Sequence, residues 1–326
     1  MAEVNRELRV LKNAPGRRRK RISLDNIQLF FLSFPTAVWY VLFCYVPMFG
    51  IVLAFKNYKV AAGKGFIYSL FVNSKWVGLK NFEFLFKLPT WTSIFRNTIL
   101  YNVVFIILGI IVPVTLAIMI SQMHSKRTAK VCQTAMFFPH FISWVVASYF
   151  VYAFLATDRG LINNLIAASG GARIMWYQEP KYWPFIIVFI QLWKTVGYAM
   201  VVYLAAISGI DQELYEAALI DGATKMQQIR FITVPLLRPI ISILLILNMG
   251  KIFNSDFGLF YRIPRDSSSL VGVTQTIDVY VYKALMHDNK TNYAAAAGLF
   301  QSVLGCITII VSNLVVKRID PESGLF

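Results

Sequence analysis

Acidic side chains are scarce in this chain: 16 Asp and Glu stand against 32 Lys and Arg in 326 residues, a net charge of +16. Cysteine and histidine are scarcer still. The three cysteines (Cys44, Cys132, Cys306) and three histidines (His124, His140, His287) are scattered, with no pair at metal-ligand spacing. This excludes a disulfide framework and a zinc site. Charged residues of both signs make up only 15% of the sequence, while 57% is hydrophobic. That balance lies well outside the soluble average and indicates a multi-span membrane protein.

The basic excess does not read as a nucleic-acid footprint. Its densest run, Arg17 to Arg21 (RRRKR), has no interleaved aromatics and sits just ahead of the first apolar segment. Such a run holds an N-terminus in the cytoplasm and meets anionic headgroups. The polar tail ahead of that segment is too long for a secretory h-region, so no cleavable signal is expected.

About 20 apolar residues cross the hydrocarbon core as a helix, and a helix keeps its backbone groups paired in lipid. Six stretches qualify: about Leu29–Phe55, Asn97–Ser121, Thr134–Thr157, Trp183–Ile207, Pro239–Phe260 and Ala294–Val316. The expected fold is therefore an all-α integral membrane protein of six transmembrane helices. Residues 1–28 form a basic cytoplasmic tail, 29–316 the spanning domain and 317–326 a C-terminal tail. An even count puts both termini on one side. Lys and Arg number 16 on that side and 14 on the other, so orientation rests on the N-terminal cluster.

Between the fourth and fifth spans lies "YEAALIDGATKMQQIRFITVPLLRP", Tyr215 to Pro239. Asp211 is placed to cap a short helix over Gln212 to Ile220. Asp221-Gly222 then breaks it, since glycine accepts the left-handed conformation that ends helices. Thr224 and Gln227 have capping-box spacing for a second short helix. Pro235 is expected to stop that helix, and Pro239 to open the next span. The segment 211–239 thus reads as an elbow showing Ala217, Ala218, Leu219 and Ile220 to water. It is either a plug for a groove on another subunit or a re-entrant helix packed on its own spans.

Ionisable groups inside spans are expensive and mark function by default. Lys194 shares a helical face with Gln191 and Tyr198. Asn248, Lys251 and Ser255 are expected to share another, followed by Asn254 and Asp256. The sixth span carries a stripe of Gln301, Gly305, Thr308 and Ser312. Three such faces would line a wet path for a polar solute, with the Trp193 ring beside it, and two in-span lysines would suit an acidic one. Alternatively the lysines snorkel or pair, Lys251 with Asp256 for example, and the Gln301 stripe is small-residue helix packing.

The pattern Glu216-Ala217-Ala218, Asp221-Gly222-Ala223, Phe231, Pro235 and Pro239 resembles the EAA signature of ABC importer permeases. "VGLKNF" (Val77–Phe82), "RNTI" (Arg96–Ile99), "YLAAISGI" (Tyr203–Ile210), "DFGLFY" (Asp256–Tyr261), "TIDVYVY" (Thr276–Tyr282) and the closing "ESGLF" are similar to the oligosaccharide branch, which includes maltose-type and Gram-positive polysaccharide permeases. Val279 departs from the threonine expected after the aspartate. The resemblance implies a heterodimeric pore made with a second, non-identical permease. It also implies two cytoplasmic ATPases and an extracytoplasmic sugar-binding protein. Glu216, Ala217, Ala218, Leu219, Asp221, Gly222 and Ala223 would couple to the ATPase, with Glu216 paired to a basic group and Gly222 holding the turn.

No cofactor is expected in this chain, ATP and Mg belonging to the partner ATPases. Neither Gly63-Lys64 nor Gly250-Lys251 has the earlier glycine and following Ser/Thr of a phosphate loop. The chain is thus not expected to be an enzyme. The alternative, an ATP-independent secondary transporter or channel, predicts intramembrane carboxylates and internal repeats. The deeper parts of these spans show no clear carboxylate.

Overall fold

The computed structural model describes residues 24–87 and 89–319. The basic run Arg17–Arg21 and the closing "ESGLF" lie outside the described residues. The regular elements of the described chain are helices, apart from one short antiparallel ladder pairing Lys56–Asn57 (β1) with Lys75–Trp76 (β2). Five helical stretches are long and apolar enough to cross a membrane: Gln28–Phe55, Thr90–Ser121, Pro180–Ser208, Lys225–Met249 and Thr291–Arg318. A bent pair, Lys126–Phe141 and Trp144–Leu155, completes six when counted as one span.

The residues fall into two units, one ending at Gly50 and one beginning at Ile51. The first holds α1 (Leu24–Tyr40), with Pro35 inside it, followed by a π-turn at Val41–Tyr45. The second holds the remaining longer helices: α2 (Pro89–Ser121), α3 (Lys126–Phe137), α4 (Trp144–Leu155), α5 (Leu161–Ala168), α6 (Trp183–Ser208), α7 (Gln212–Ile220), α8 (Val234–Met249), α9 (Ile277–Met286) and α10 (Thr291–Ile319).

Two spans differ from expectation. The third is not a straight helix over 134–157: it bends by 103° between α3 and α4. Pro139 lacks the N–H that would continue the ladder and sits in a 3-10 turn, Phe138–Phe141. Ser143 then caps a new helix, its side chain accepting from the Val146 N–H at 3.2 Å. The fifth span does not run from Pro239 to Phe260. It begins at Lys225 and ends at Met249, where Gly250 to Phe253 turn.

α2 and α6 pack along their lengths at the centre of the second unit. Three apolar cores surround them. One gathers Tyr101, Trp183, Ile187, Leu259, Phe260 and Leu270; a second Phe84, Trp91, Ile277 and Ala297; a third Ala117, Met200, Tyr203 and Leu237. Trp183 is fully buried, and its indole N–H finds the Trp176 carbonyl at 2.7 Å. α6 meets α3 at Gly197, where a Cβ would strike the Met136 carbonyl and the Phe137 Cα. Only glycine allows backbones that close.

Candidate functional site

The elbow between α6 and α8 is built from local signals. The Asp211 carboxylate accepts from the Glu213 N–H at 3.0 Å and starts α7. Gly222, at φ +78°, closes it. The Ala223 N–H reaches the Ala218 carbonyl at 2.9 Å and the Gly222 N–H reaches Leu219 at 3.1 Å. This is the Schellman arrangement, which pairs carbonyls that a helix end leaves orphaned. The capping box forms as well: Thr224 N–H to Gln227 Oε1 at 2.7 Å, and Gln227 N–H to Thr224 Oγ1 at 3.4 Å.

Pro235 does not stop the second helix. Lys225–Gln228 passes through a π-turn, Ile229–Thr233, directly into α8, which carries Pro235 in its first turn and Pro239 inside. The wider turn absorbs the shift that prolines force on the ladder. Tyr215 on α7 hydrogen-bonds Thr233 Oγ1 at 2.8 Å, tying the two arms of the elbow.

The outer surface of this elbow is unpartnered. Glu216, Ala217, Leu219, Asp221 and Gly222 are exposed, while Ala218 and Ala223 are half-buried. Leu219 and Ile220 are 68% and 86% exposed, with Met226 and Phe231 also open. Glu216 makes no ion pair among the described residues. The elbow thus holds an exposed apolar patch in a fixed shape beside the Glu216 carboxylate.

A second group of polar residues gathers where the third and fifth spans break. Lys194 donates to the carbonyls of His140, at 2.9 Å, and Ile142, and its ammonium lies 5.2 Å from the Trp144 ring. It thereby serves carbonyls that the bend between α3 and α4 leaves without helical partners. Trp144 donates its indole N–H to Asp256 Oδ2 at 2.7 Å, and Asp256 Oδ1 accepts from the Gly258 N–H at 2.8 Å. Any side chain at Gly258 would collide with the Trp144 ring. Tyr198 and His140 stack at 4.7 Å, both exposed on one side. Gln191 shares this helix face, with its Oε1 buried and without a partner among the described residues.

The other expected residues fall elsewhere. Because the helix ends at Met249, Asn248, Lys251 and Ser255 do not share a face. Asn248, Lys251 and Asn254 are exposed around the turn. Lys251 does not pair with Asp256, whose carboxylate is held by Trp144 and backbone N–H groups. Trp193 lines an apolar cavity of about 910 Å³ shared with Phe150, Phe185 and Phe189. A sugar needs hydrogen-bond partners that this lining lacks.

Gln301 is buried, its amide donating to the Phe253 carbonyl at 2.8 Å and to the Asp278 carboxylate at 3.1 Å. Asp278 also accepts from the Ser255 N–H at 2.6 Å and hydroxyl at 2.8 Å. It pins the chain beyond α8 to α9 and α10. Asp278 and Trp144 hold this region together, and sequence reasoning gave neither a role. The local signals for Asp278 were its place in the Thr276–Tyr282 motif and a carboxylate in the first turn of a helix.

Residues 116–321 match the family described as the binding-protein-dependent transport system inner membrane component. The chain belongs to this family, and its fold is that of an ABC importer permease, a multi-pass membrane component rather than an enzyme. It is 32% identical over 312 residues to the polygalacturonan/rhamnogalacturonan transport system permease protein YteP of Bacillus subtilis (strain 168), covering 95% of this chain and 94% of that protein. Protein LplB of the same organism is 32% identical over 298 residues, covering 91% of each. A solved bacterial ABC transporter involved in the import of the acidic polysaccharide alginate superposes with a TM-score of 0.82 at 30% identity, covering 91% of this chain and 97% of that one. A bacterial alginate ABC transporter in complex with alginate pentasaccharide-bound periplasmic protein gives 0.79 at 29% identity, covering 92% and 98%.

Proposed function

We propose that this chain is one of two non-identical permease subunits forming the path for an acidic oligosaccharide in an ATP-driven importer of the bacterial cytoplasmic membrane. The oligosaccharide is delivered by an extracytoplasmic binding protein. Two cytoplasmic ATPases, which alone bind ATP and Mg, seat on the elbow. Both termini and the elbow then lie in the cytoplasm. ATPase closure moves α7 and, through the Tyr215–Thr233 link and the unbroken Lys225–Met249 helix, switches the span between inward- and outward-facing states.

The observation that carries this reading is the elbow itself, rigidly capped at three points yet open on its Glu216, Leu219 and Ile220 side. An apolar patch kept rigid in water is retained for a partner. For the substrate, two similar proteins handle acidic polymers, polygalacturonan/rhamnogalacturonan and alginate. Lys251, exposed without an ion pair among the described residues, gives a matching positive charge. The stacked Tyr198–His140 pair offers a flat face for a pyranose ring.

The test is a mild-detergent pull-down from native membranes, comparing wild type with Glu216→Lys. An ATPase and a second permease should co-purify, and the substitution should release the ATPase while retaining the permease. Absence of any ATPase with the wild-type protein would overturn the reading in favour of an ATP-independent transporter.

A further inference from the structure

At the end of α6 opposite the elbow, a cavity of about 600 Å³ opens between three segments. These are the turn after α4, the 3-10 turn Trp176–Gln178, and the loop at 264–267. Its volume falls within the range of small-ligand sites, about 300–1,000 Å³. Tyr152, Asp158, Arg159, Tyr177, Arg265 and Ser267 supply its chemistry. Arg265 also borders a smaller cavity of about 240 Å³ beside Tyr149 and Arg262.

Four observations set this place apart. Arg265 and Asp266 both take left-handed backbone conformations, φ 56° and 52°, although neither is glycine. Such conformations cost on the order of 1–3 kcal/mol each and gather at binding sites. The Arg265 guanidinium lies 4.1 Å from the Tyr152 ring centre. The one acid beside it in sequence, Asp266, is turned to Lys283, so Arg265 has no carboxylate partner among the described residues. Arg159 is exposed and likewise without an ion pair among them. Finally, the Tyr177 hydroxyl is buried with no hydrogen-bond partner there, while its backbone carbonyl is held by Ser267 Oγ at 2.8 Å. An orphaned buried hydroxyl is costly to keep.

Two guanidiniums on a cavity wall, neither with an ion-pair partner among the described residues, ask for a carboxylate with neighbouring oxygens. The remaining acid, Asp158, is a ready acceptor for sugar hydroxyls. We infer that this cavity is a subsite for a uronate residue of an acidic oligosaccharide, with Arg265 and Arg159 binding the carboxylate. This rests on the acidic-oligosaccharide reading above, and places the site at the outer mouth of the path.

The probe is trigalacturonate, added without binding protein to the complete importer in lipid nanodiscs and followed by saturation-transfer NMR and equilibrium dialysis. Wild type should bind it, and fully methyl-esterified trigalacturonate should bind at least tenfold more weakly. Arg265→Gln should cost about tenfold for the acid and nothing for the ester. Arg159→Gln, at an exposed position that does not support the fold, gives an independent reading in the same direction.

Equal affinity for acid and ester, no effect of either arginine, or no binding by wild type would overturn the subsite. So would loss of binding-protein capture by Arg265→Gln with trigalacturonate binding intact, which would make the occupant an acidic group on that partner. ATP-driven uptake is measured separately. Binding without uptake sinks the transport reading alone, and uptake indifferent to both arginines sinks the subsite alone.

Discussion

Replacing Asp278 tests whether the break after α8 is held by its carboxylate. The wild-type group accepts the Ser255 N–H at 2.6 Å, the Ser255 hydroxyl at 2.8 Å and the Gln301 amide at 3.1 Å. Hydrogen bonds to a charged acceptor contribute about 1.5–3 kcal/mol each. Asp278→Asn keeps one acceptor oxygen for the Ser255 N–H. The Ser255 hydroxyl still has Thr276 at 2.6 Å, and the Gln301 amide still has the Phe253 carbonyl. The loss is then roughly one charge-assisted bond, about 2 kcal/mol. Asp278→Leu leaves the Ser255 N–H without its acceptor and adds a desolvation penalty, for a total of about 4 kcal/mol.

Thermal unfolding of the purified protein in detergent, followed by intrinsic fluorescence, reads the difference. A drop of roughly 2 °C per kcal/mol is expected for a chain this long. A double-mutant cycle with Gln301→Leu should return a coupling of at least about 1 kcal/mol, as expected of residues in one network. A melting temperature for Asp278→Leu within a degree of wild type, or additive effects of the two substitutions, would refute the account.

Gly197→Ala should lower the melting temperature by about as much as Asp278→Leu. The obstruction at Met136 and Phe137 is backbone rather than a yielding side chain, which puts it at the upper end of overpacking costs, about 3 kcal/mol. An unchanged melting temperature would show that α3 and α6 do not meet there. Tyr177 and Tyr280, both outside the spans, are pushed up to about 12 by burial. The unfolded chain releases these protons near pH 10 while the folded chain keeps them. Their contribution to stability is therefore complete below pH 10 and lost as pH rises toward about 12. Absorbance at 295 nm should show both tyrosines resisting ionisation at pH 11 until the protein unfolds, and early ionisation would contradict their burial.

The elbow was legible in the sequence because every signal in it is local. Asp211, Gly222 and the Thr224–Gln227 pair each act within three or four residues, and each forms as spacing predicts. The effects of Pro235 and Pro239 were misjudged, because the helix runs through a π-turn and both prolines where a stop and a new start were expected. The breaks in the third and fifth spans were not legible. Hydropathy reads 134–157 as one apolar run and carries no information about direction. What stabilises the bend is Lys194, 52 residues from Ile142 in sequence. Helical periodicity likewise extended past Met249 and placed Lys251 and Ser255 on a face that is absent. Their true surroundings depend on Asp278, Gln301 and Trp144, which only the fold brings near.

The joining of elbow and fifth span into one helix has a mechanical meaning. Its 25 residues, Lys225 to Met249, make a bar about 37 Å long at about 1.5 Å per residue. The π-turn Ile229–Thr233 and Pro239 lie within it without ending it, and α7, which carries Glu216, is tied to it by the Tyr215–Thr233 hydrogen bond. A tilt of about 10° at the lower end displaces the tip by about 6 Å, roughly one helical turn. The bar ends where Lys251, Asn254 and Asp256 begin, so under the importer function proposed above a small rotation at its base would become a stroke wide enough to open or shut the path.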